Sequence, residues 1–207
     1  MQGYNNSPMS VYVADANAFN AREHARTDVN FDATALVRFE PDLNSTYEAG
    51  YARKTRSPNF YERYAWSRKY DGTPMGTAQM AMNMIGWFGD GNGYTGNLDL
   101  NPEVAHTISF TTGWHDGARK DWGLKITPYF TYVEDFIGVR KIGNSVGTAH
   151  AGFVDLQFVN HDAMLYGANV ESFMPLLTSP ALGHVMLTGV AGYVHGENAD
   201  THVSLYH

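Results

Sequence analysis

The sequence predicts an all-β fold, an antiparallel transmembrane β-barrel segment, and three observations predict it. Apolar and polar residues alternate with period two through runs of about ten residues, the span of a tilted membrane strand. Short connections alternate with long ones, as in barrels that turn tightly on one side of a membrane and loop widely on the other. Trp114, Trp122, Tyr132 and Tyr193 fall at strand ends, where interfacial aromatic girdles sit.

Each strand follows from its own parity. Phe31, Ala33, Ala35, Val37 and Phe39 share one face against Asp32, Thr34, Arg38 and Glu40. Beyond the Pro41-Asp42 turn, Tyr47, Ala49 and Tyr51 oppose Thr46, Glu48 and Gly50. From Val104 to Trp114 the outward set includes Ile108 and Phe110, and the inward set is Thr107, Ser109 and Thr111. From Trp122 to Tyr132, Leu124, Ile126 and Phe130 face outward while Lys125 and Thr127 face inward. One parity then persists from Val154 to Val170, interrupted by Asn160 and Asp162, and a last strand runs from Val185 to Tyr193. The turns near 41–43, 115–121 and 177–183 are short, whereas 54–101 and 134–149 are long, as are 1–27 and the segment from 196. A loop the length of 54–101 is uncommon in a compact soluble domain, and this favours the membrane reading over a soluble β-sandwich.

Composition narrows the class. The 207 residues are 43% hydrophobic and 14% aromatic, with 21 glycines, no cysteine and a net charge of -7. No run of 18 apolar residues exists, so a transmembrane helix is not expected. MQGYNNSPMS has neither the basic nor the apolar region of a signal peptide. Without cysteine there is no disulfide framework or thiolate metal site. An acidic total argues against nucleic acid as a partner.

Gly91-Asn92-Gly93-Tyr94-Thr95-Gly96 fits the dinucleotide pattern G-x-G-x-x-G, and Asp90 with Asn92 resembles the start of a calcium loop. A phosphate loop must open a helix, yet these glycines run into Asn97–Pro102, which lacks helical periodicity and ends in a helix breaker. The calcium pattern fails at Tyr94, Thr95 and Asn101, which replace its oxygen ligand, glycine and glutamate. The stretch reads as a turn-rich loop.

Two passages carry a family resemblance. Glu48 to Glu62 (EAGYARKTRSPNFYE) resembles the strand-to-loop passage of TonB-dependent outer-membrane receptors, with an R-x-P-x-x-x-E signature at Arg56, Pro58 and Glu62. Asn97, Leu100, Pro102 and Glu103 are similar to the N-x-x-L-x-P-E return that begins the next strand, and LKITPYFTYVEDFI and NHDAMLYGANV are similar to later strands. The likeness runs over nearly all of 28–207. It implies a barrel of about 22 strands around a plug. This chain offers six to seven strands and no visible plug domain or TonB-contacting segment, so it is read as a fragment from the C-terminal half of the barrel. Alone, its unpaired edges would aggregate. Residues 1–27 are then an extracellular loop, 28–207 a partial barrel, and 54–101 its long extracellular loop. The resemblance implies a bacterial outer-membrane location and no enzymatic role. TonB would be a partner through a plug not seen here, alongside outer-membrane lipid, lipopolysaccharide and a small-molecule or metal-chelate ligand.

Two ligand sites are candidates. In loop 53–70, Arg63, Tyr64, Trp66, Arg68 and Lys69 interleave cations with aromatic rings, a pattern suited to an anionic, ring-bearing ligand such as a ferric siderophore. The bland alternative is contact with lipopolysaccharide phosphates or local acids. Met75, Met80, Met82 and Met84 bring soft thioethers suited to copper(I), against the alternative of loop packing. His150, His161, His195 and His202 would assist a metal only if their loops converge. No cofactor is expected, and no catalytic constellation appears. The leading expectation is a receptor for active uptake of a scarce nutrient. A passive porin and a soluble β-sandwich are the alternatives, with iron chelate, copper, cobalamin and sugar all open as ligands.

Overall fold

Alternation along the chain becomes two chemically opposed faces once the strands pair. The computed structural model describes residues 14, 17–66, 92–118, 121–144, 154–180 and 183–205. The strands are β1 (Ala33–Phe39), β2 (Ser45–Arg56), β3 (Gly93–Thr95), β4 (Glu103–His115), β5 (Gly123–Asn144), β6 (Val154–Ser179) and β7 (Gly183–Asn198), with a short helix α1 (Phe60–Tyr64). The chain divides into two units: Asn30–Thr55, Val104–Asp135 and Asp162–His207 in one, Met1–Val29, Arg56–Glu103 and Phe136–His161 in the other.

The first unit is a meander in the order β1-β2-β4-β5-β6-β7. Val37 lies opposite Ala49 and Phe39 opposite Tyr47; Val37, Ala49 and Phe39 stay exposed and Tyr47 is half-buried. On the other face Arg38 meets Glu48 at 2.5 Å, and Asp32 takes the Lys54 ammonium at 3.2 Å and the Thr55 N–H at 2.8 Å. In β4 and β5, Ile108 faces Phe130 and Trp114 faces Leu124, with Ile108 57% and Phe110 49% exposed. The opposite face carries threonine rungs, Thr107 to Thr131 at 2.8 Å and Thr111 to Thr127 at 3.0 Å. An apolar face beside a hydrogen-bonded polar face is what lipid on one side and water on the other demand.

The outward face is bounded by interfacial residues. Tyr51 and His106 share a hydrogen bond of 2.8 Å, and His106 pairs in register with Tyr132. Trp114 and Trp122 are exposed at the far end. His106 to Trp114 spans about 26 Å along a strand, or about 20 Å after tilting, comparable with the apolar band of an outer-membrane barrel.

Strands β5 and β6 run well past the expected ends. What reads as a loop over 134–149 is strand as far as Asn144, and β6 continues to Ser179. Asp135 adopts a left-handed backbone (φ 56°), which breaks the alternation at that point. Its N–H donates to Asp162 Oδ1 at 3.1 Å, and the Tyr132 hydroxyl donates to Asp162 Oδ2 at 2.6 Å. Asp162 therefore interrupts the apolar parity because it answers two donors. Farther along, Pro175 has no N–H for the ladder and the β6–β7 register slips by one between Pro175 and Leu177. His115 closes β4 instead of opening the following turn.

The second unit holds the distal ends of β5 and β6, with β3 running parallel to β6 (Tyr94 opposite Leu156). Its core is Ala65, Tyr94, Leu100, Ile137 and Phe158, with Leu156 packed against them. The glycine-rich stretch thus supplies a buried three-residue strand, not only a turn-rich loop, and no helix opens after Gly96. Asn160, the other interruption of parity, accepts from the Asn101 N–H at 2.9 Å and donates to the Asn101 carbonyl at 3.2 Å.

Candidate functional site

The base of the loop between β2 and β4 is built from both of its feet. On the ascending foot, Pro58 is buried and Asn59 caps α1. The Asn59 Oδ1 accepts the Glu62 N–H at 2.8 Å, and Glu62 Oε2 accepts the Asn59 N–H at 2.7 Å. This reciprocal box satisfies two donors that a helix start leaves orphaned, and it fixes the Glu62 carboxylate. Arg56, the last residue of β2, reaches that carboxylate at 3.0 Å and, through Nε, Glu103 Oε2 at 2.7 Å. Glu103 opens β4, and its other oxygen accepts the Ile137 N–H at 2.7 Å. One guanidinium therefore ties the end of one strand, the loop helix and the start of the next strand.

Arg63 is turned inward. It is 6% exposed and makes a two-pronged pair with Asp28, Nη1 to Oδ2 at 2.8 Å and Nη2 to Oδ1 at 2.7 Å. Its Nη2 also donates to the Leu100 carbonyl at 3.0 Å. Arg26 adds a bond from Nε to the Leu98 carbonyl at 2.9 Å, and Arg22 meets Asp99 at 2.5 Å. The segment before β1 is thereby strapped to the descending foot. The hydrogen bond from Arg63 is the main reason the Asp28 carboxyl sits below the usual carboxylate range. A depressed folded pKa means that stability from this group is present above the unfolded value of about 3.9 and is lost as pH falls through the folded value. Amide protection factors for residues 24–28 should therefore hold from neutral pH to about 4 and fall below it. A flat profile down to pH 2 would contradict this.

The descending foot approaches too closely for a side chain at Gly96. The Gly96 N–H donates to the Ala65 carbonyl at 2.6 Å, and the Asn97 N–H to the Glu62 carbonyl at 2.8 Å. A Cβ at Gly96 would lie 2.8 Å from the Ala65 nitrogen and from the Arg63 carbonyl group, all backbone. Gly96→Ala should therefore pry the feet apart and cost about 1–3 kcal/mol, read as faster proteolysis of the loop base. Unchanged cleavage kinetics would show that the contact is dispensable.

The structure brings Arg56, Glu62 and Glu103 into one network. Leu100 sits in the core, and Asn97 Oδ1 accepts the Asp99 N–H at 3.0 Å. Pro102 is half-buried just before β4. Of the ligand candidates, Arg63 faces the interior and is not presented to solvent. Tyr64 is half-buried and donates to the His24 carbonyl at 2.9 Å, while Trp66 is half-buried. Arg68, Lys69, Met75, Met80, Met82 and Met84 lie outside the described residues. Among the described residues no three His, Asp or Glu side chains are placed to hold a metal. Sequence reading missed Asp28, Arg22, Arg26 and Asn59. The Asn59-x-x-Glu62 spacing was a readable capping signal, but no local pattern announces the partner of Arg63.

A two-faced antiparallel sheet with an apolar outer band and a polar inner face defines a membrane β-barrel. The TonB dependent receptor-like β-barrel family model matches residues 4–203, and the chain belongs to that family. The family is one of outer-membrane transport proteins and not of enzymes, and the chain's place is the outer membrane. The fold is similar to that of a copper transporter, OprC (TM-score 0.58, 17% identity), over 87% of this chain and 23% of that one. It is also similar to the siderophore receptor PirA from Pseudomonas aeruginosa (TM-score 0.50, 17% identity), over 80% of this chain and 29% of that one. The chain thus spans less than a third of either protein's length. No curated protein matches it.

Proposed function

We propose that the chain is part of the barrel of a receptor that imports a scarce nutrient across the bacterial outer membrane, drawing energy from TonB. The carrying observation is the loop base, where Arg56, Glu62 and Glu103 lock a long extracellular excursion onto adjacent strands. Such rigidity suits an element that must hold ligand groups in place outside the membrane. In this reading residues 1–27 are an extracellular loop, 28–207 belong to the barrel, and 54–101 form its long extracellular loop. Closure takes about 22 strands around a plug carried elsewhere in the full protein, through which TonB acts. Thr107, Thr111, Lys125 and Thr127 then face the plug and its water, and the outer face meets lipid and lipopolysaccharide.

A ferric siderophore is the favoured cargo, recognised by cations and rings on the loop: Tyr64, Trp66, Arg68 and Lys69, with Arg63 as the buried anchor that positions them. Copper is the second cargo, taken by the thioethers of Met75, Met80, Met82 and Met84. The test is uptake of labelled ferric siderophore and of copper by a strain lacking the full-length gene, each under limitation of that metal. Loss of one uptake assigns the cargo. Unchanged uptake of both removes the two favoured substrates.

A further inference from the structure

The inner face of the first unit carries an apolar exception. Glu171 meets Lys125 at 3.9 Å and so stands on that face, and Val190 lies directly opposite Glu171 in the β6–β7 register. Directly opposed residues of an antiparallel pair share a face. Val194, opposite Gly167, falls on the same side of β7 by the period of two. Val190 is 84% exposed and Val194 52%, on a face that β4 and β5 furnish with hydrogen-bonded threonine rungs.

Val190 lines a trough of about 510 Å³ within this unit. The Phe173 ring lines it too, and fills the space that a side chain at Gly123 would take. The four carboxylate, ammonium and guanidinium groups of the lining pair with one another, Arg38 with Glu48 at 2.5 Å and Lys125 with Glu171 at 3.9 Å. The His115 ring is engaged by the Asp116 carbonyl at 2.8 Å and by Thr46 Oγ1 at 3.4 Å. A charged group entering the trough would lose water and find its counter-charges already taken. What fits is uncharged and apolar.

We infer that this trough seats an uncharged, apolar loop tip of the plug, held against Val190 and Phe173. Apolar surface on a wet face asks for a protein cover. Arg38, Thr46, His115 and Gly123 put the trough at the short-turn ends of their strands, whereas the loop proposed to take cargo joins the other ends of β2 and β4. That position suits a resident segment more than a passing ligand. The chain spans less than a third of the transporters it resembles, and the plug belongs to the remainder. The inference rests on the receptor reading above and deepens it by naming the chemistry of one plug contact. A hold made of apolar contact has no ion pair to break when the plug moves.

The test puts the photo-crosslinking residue benzoylphenylalanine at position 190 of the full-length receptor in outer membranes, with attached peptides read by mass spectrometry. A plug peptide is expected, joined at an uncharged, apolar loop. Attachment only to barrel strands, to a second copy, to lipid or to nothing overturns the inference. The same probe at position 127, among the threonines of the same face, separates this result from failure of the receptor reading. A plug peptide from position 127 without one from position 190 sinks the trough alone, and a plug peptide from neither sinks both. Val190→Asp should speed proteolysis of the plug about tenfold, because it sets a carboxylate without a partner against the loop tip. Val190→Leu should stay close to wild type. Val190→Thr, which keeps the shape and adds one hydroxyl, should fall between them and takes over if the aspartate variant does not assemble. The heat-modifiable folded fraction of the same membranes reports assembly. Proteolysis at the wild-type rate in the assembled polar variants overturns the inference.

Discussion

Phe110→Arg should abolish or sharply reduce assembly of the full-length barrel in the outer membrane. Phe110 lies midway between the His106 row and Trp114, at the centre of the apolar band, and is half exposed on the face that meets hydrocarbon. A guanidinium there costs about 2–4 kcal/mol, and the penalty shrinks toward either interface. Ile108→Arg, two residues nearer the outer row, should therefore cost less than Phe110→Arg. The contrast with the other face is the sharper half of the prediction. Lys125 already stands on the inner face of β5 beside Glu171 at 3.9 Å, and Leu124 is its immediate neighbour on the outer face. Phe130→Lys, opposite Ile108 on the outer face and deeper in the band, should reduce the folded fraction, whereas Thr127→Lys should cost no more than about 1 kcal/mol for one lost hydroxyl bond. The measurement is the heat-modifiable folded fraction in isolated outer membranes. Equal tolerance on both faces would remove the membrane assignment of this sheet.

Arg63→Leu should unfasten the loop base while leaving the meander intact. Removing one partner of a buried ion pair strands the other, and such losses run to about 3–5 kcal/mol. Here the stranded group is Asp28, whose side chain is only 16% exposed. The same substitution releases the Leu100 carbonyl. Hydrogen exchange should then accelerate at Gly96 and Asn97, whose N–H groups join the feet, but not at the Ile108 and Phe130 amides. Adding Asp28→Leu should recover much of the loss, because two well-packed apolar residues replace a desolvated pair more cheaply than one bare charge. If the single variant exchanges like wild type, Arg63 is not the anchor.

How much of this was legible in the sequence varies with the physical cause. The faces of β1, β2, β4 and the first half of β5 were readable because lipid on one side enforces strict alternation. The distal halves of β5 and β6 were not, since on the function proposed above they lie outside the bilayer, where no hydrocarbon selects every second residue. Asp135 and Asp162 interrupt the pattern to satisfy each other's backbone and side chain, which resembles a loop when read locally. The Arg56, Glu62 and Glu103 positions were found through resemblance, and their meeting at one guanidinium became visible only in three dimensions. Arg63 looked like an exposed ligand contact among neighbouring cations. Its partner lies 35 residues earlier, a distance at which composition and periodicity carry no information.

The joined feet of the β2–β4 excursion have a consequence for how such a protein can diversify. Arg56 and Glu103 hold the two anchor points together whatever the chain does between Trp66 and Asn92. Lengthening, shortening or exchanging that interval should then leave the pairing of β2 with β4 unchanged. On the function proposed above, receptor variants with new cargo preferences would arise by swapping a cassette onto an unaltered socket, and an engineer could graft a foreign recognition segment there with the same expectation.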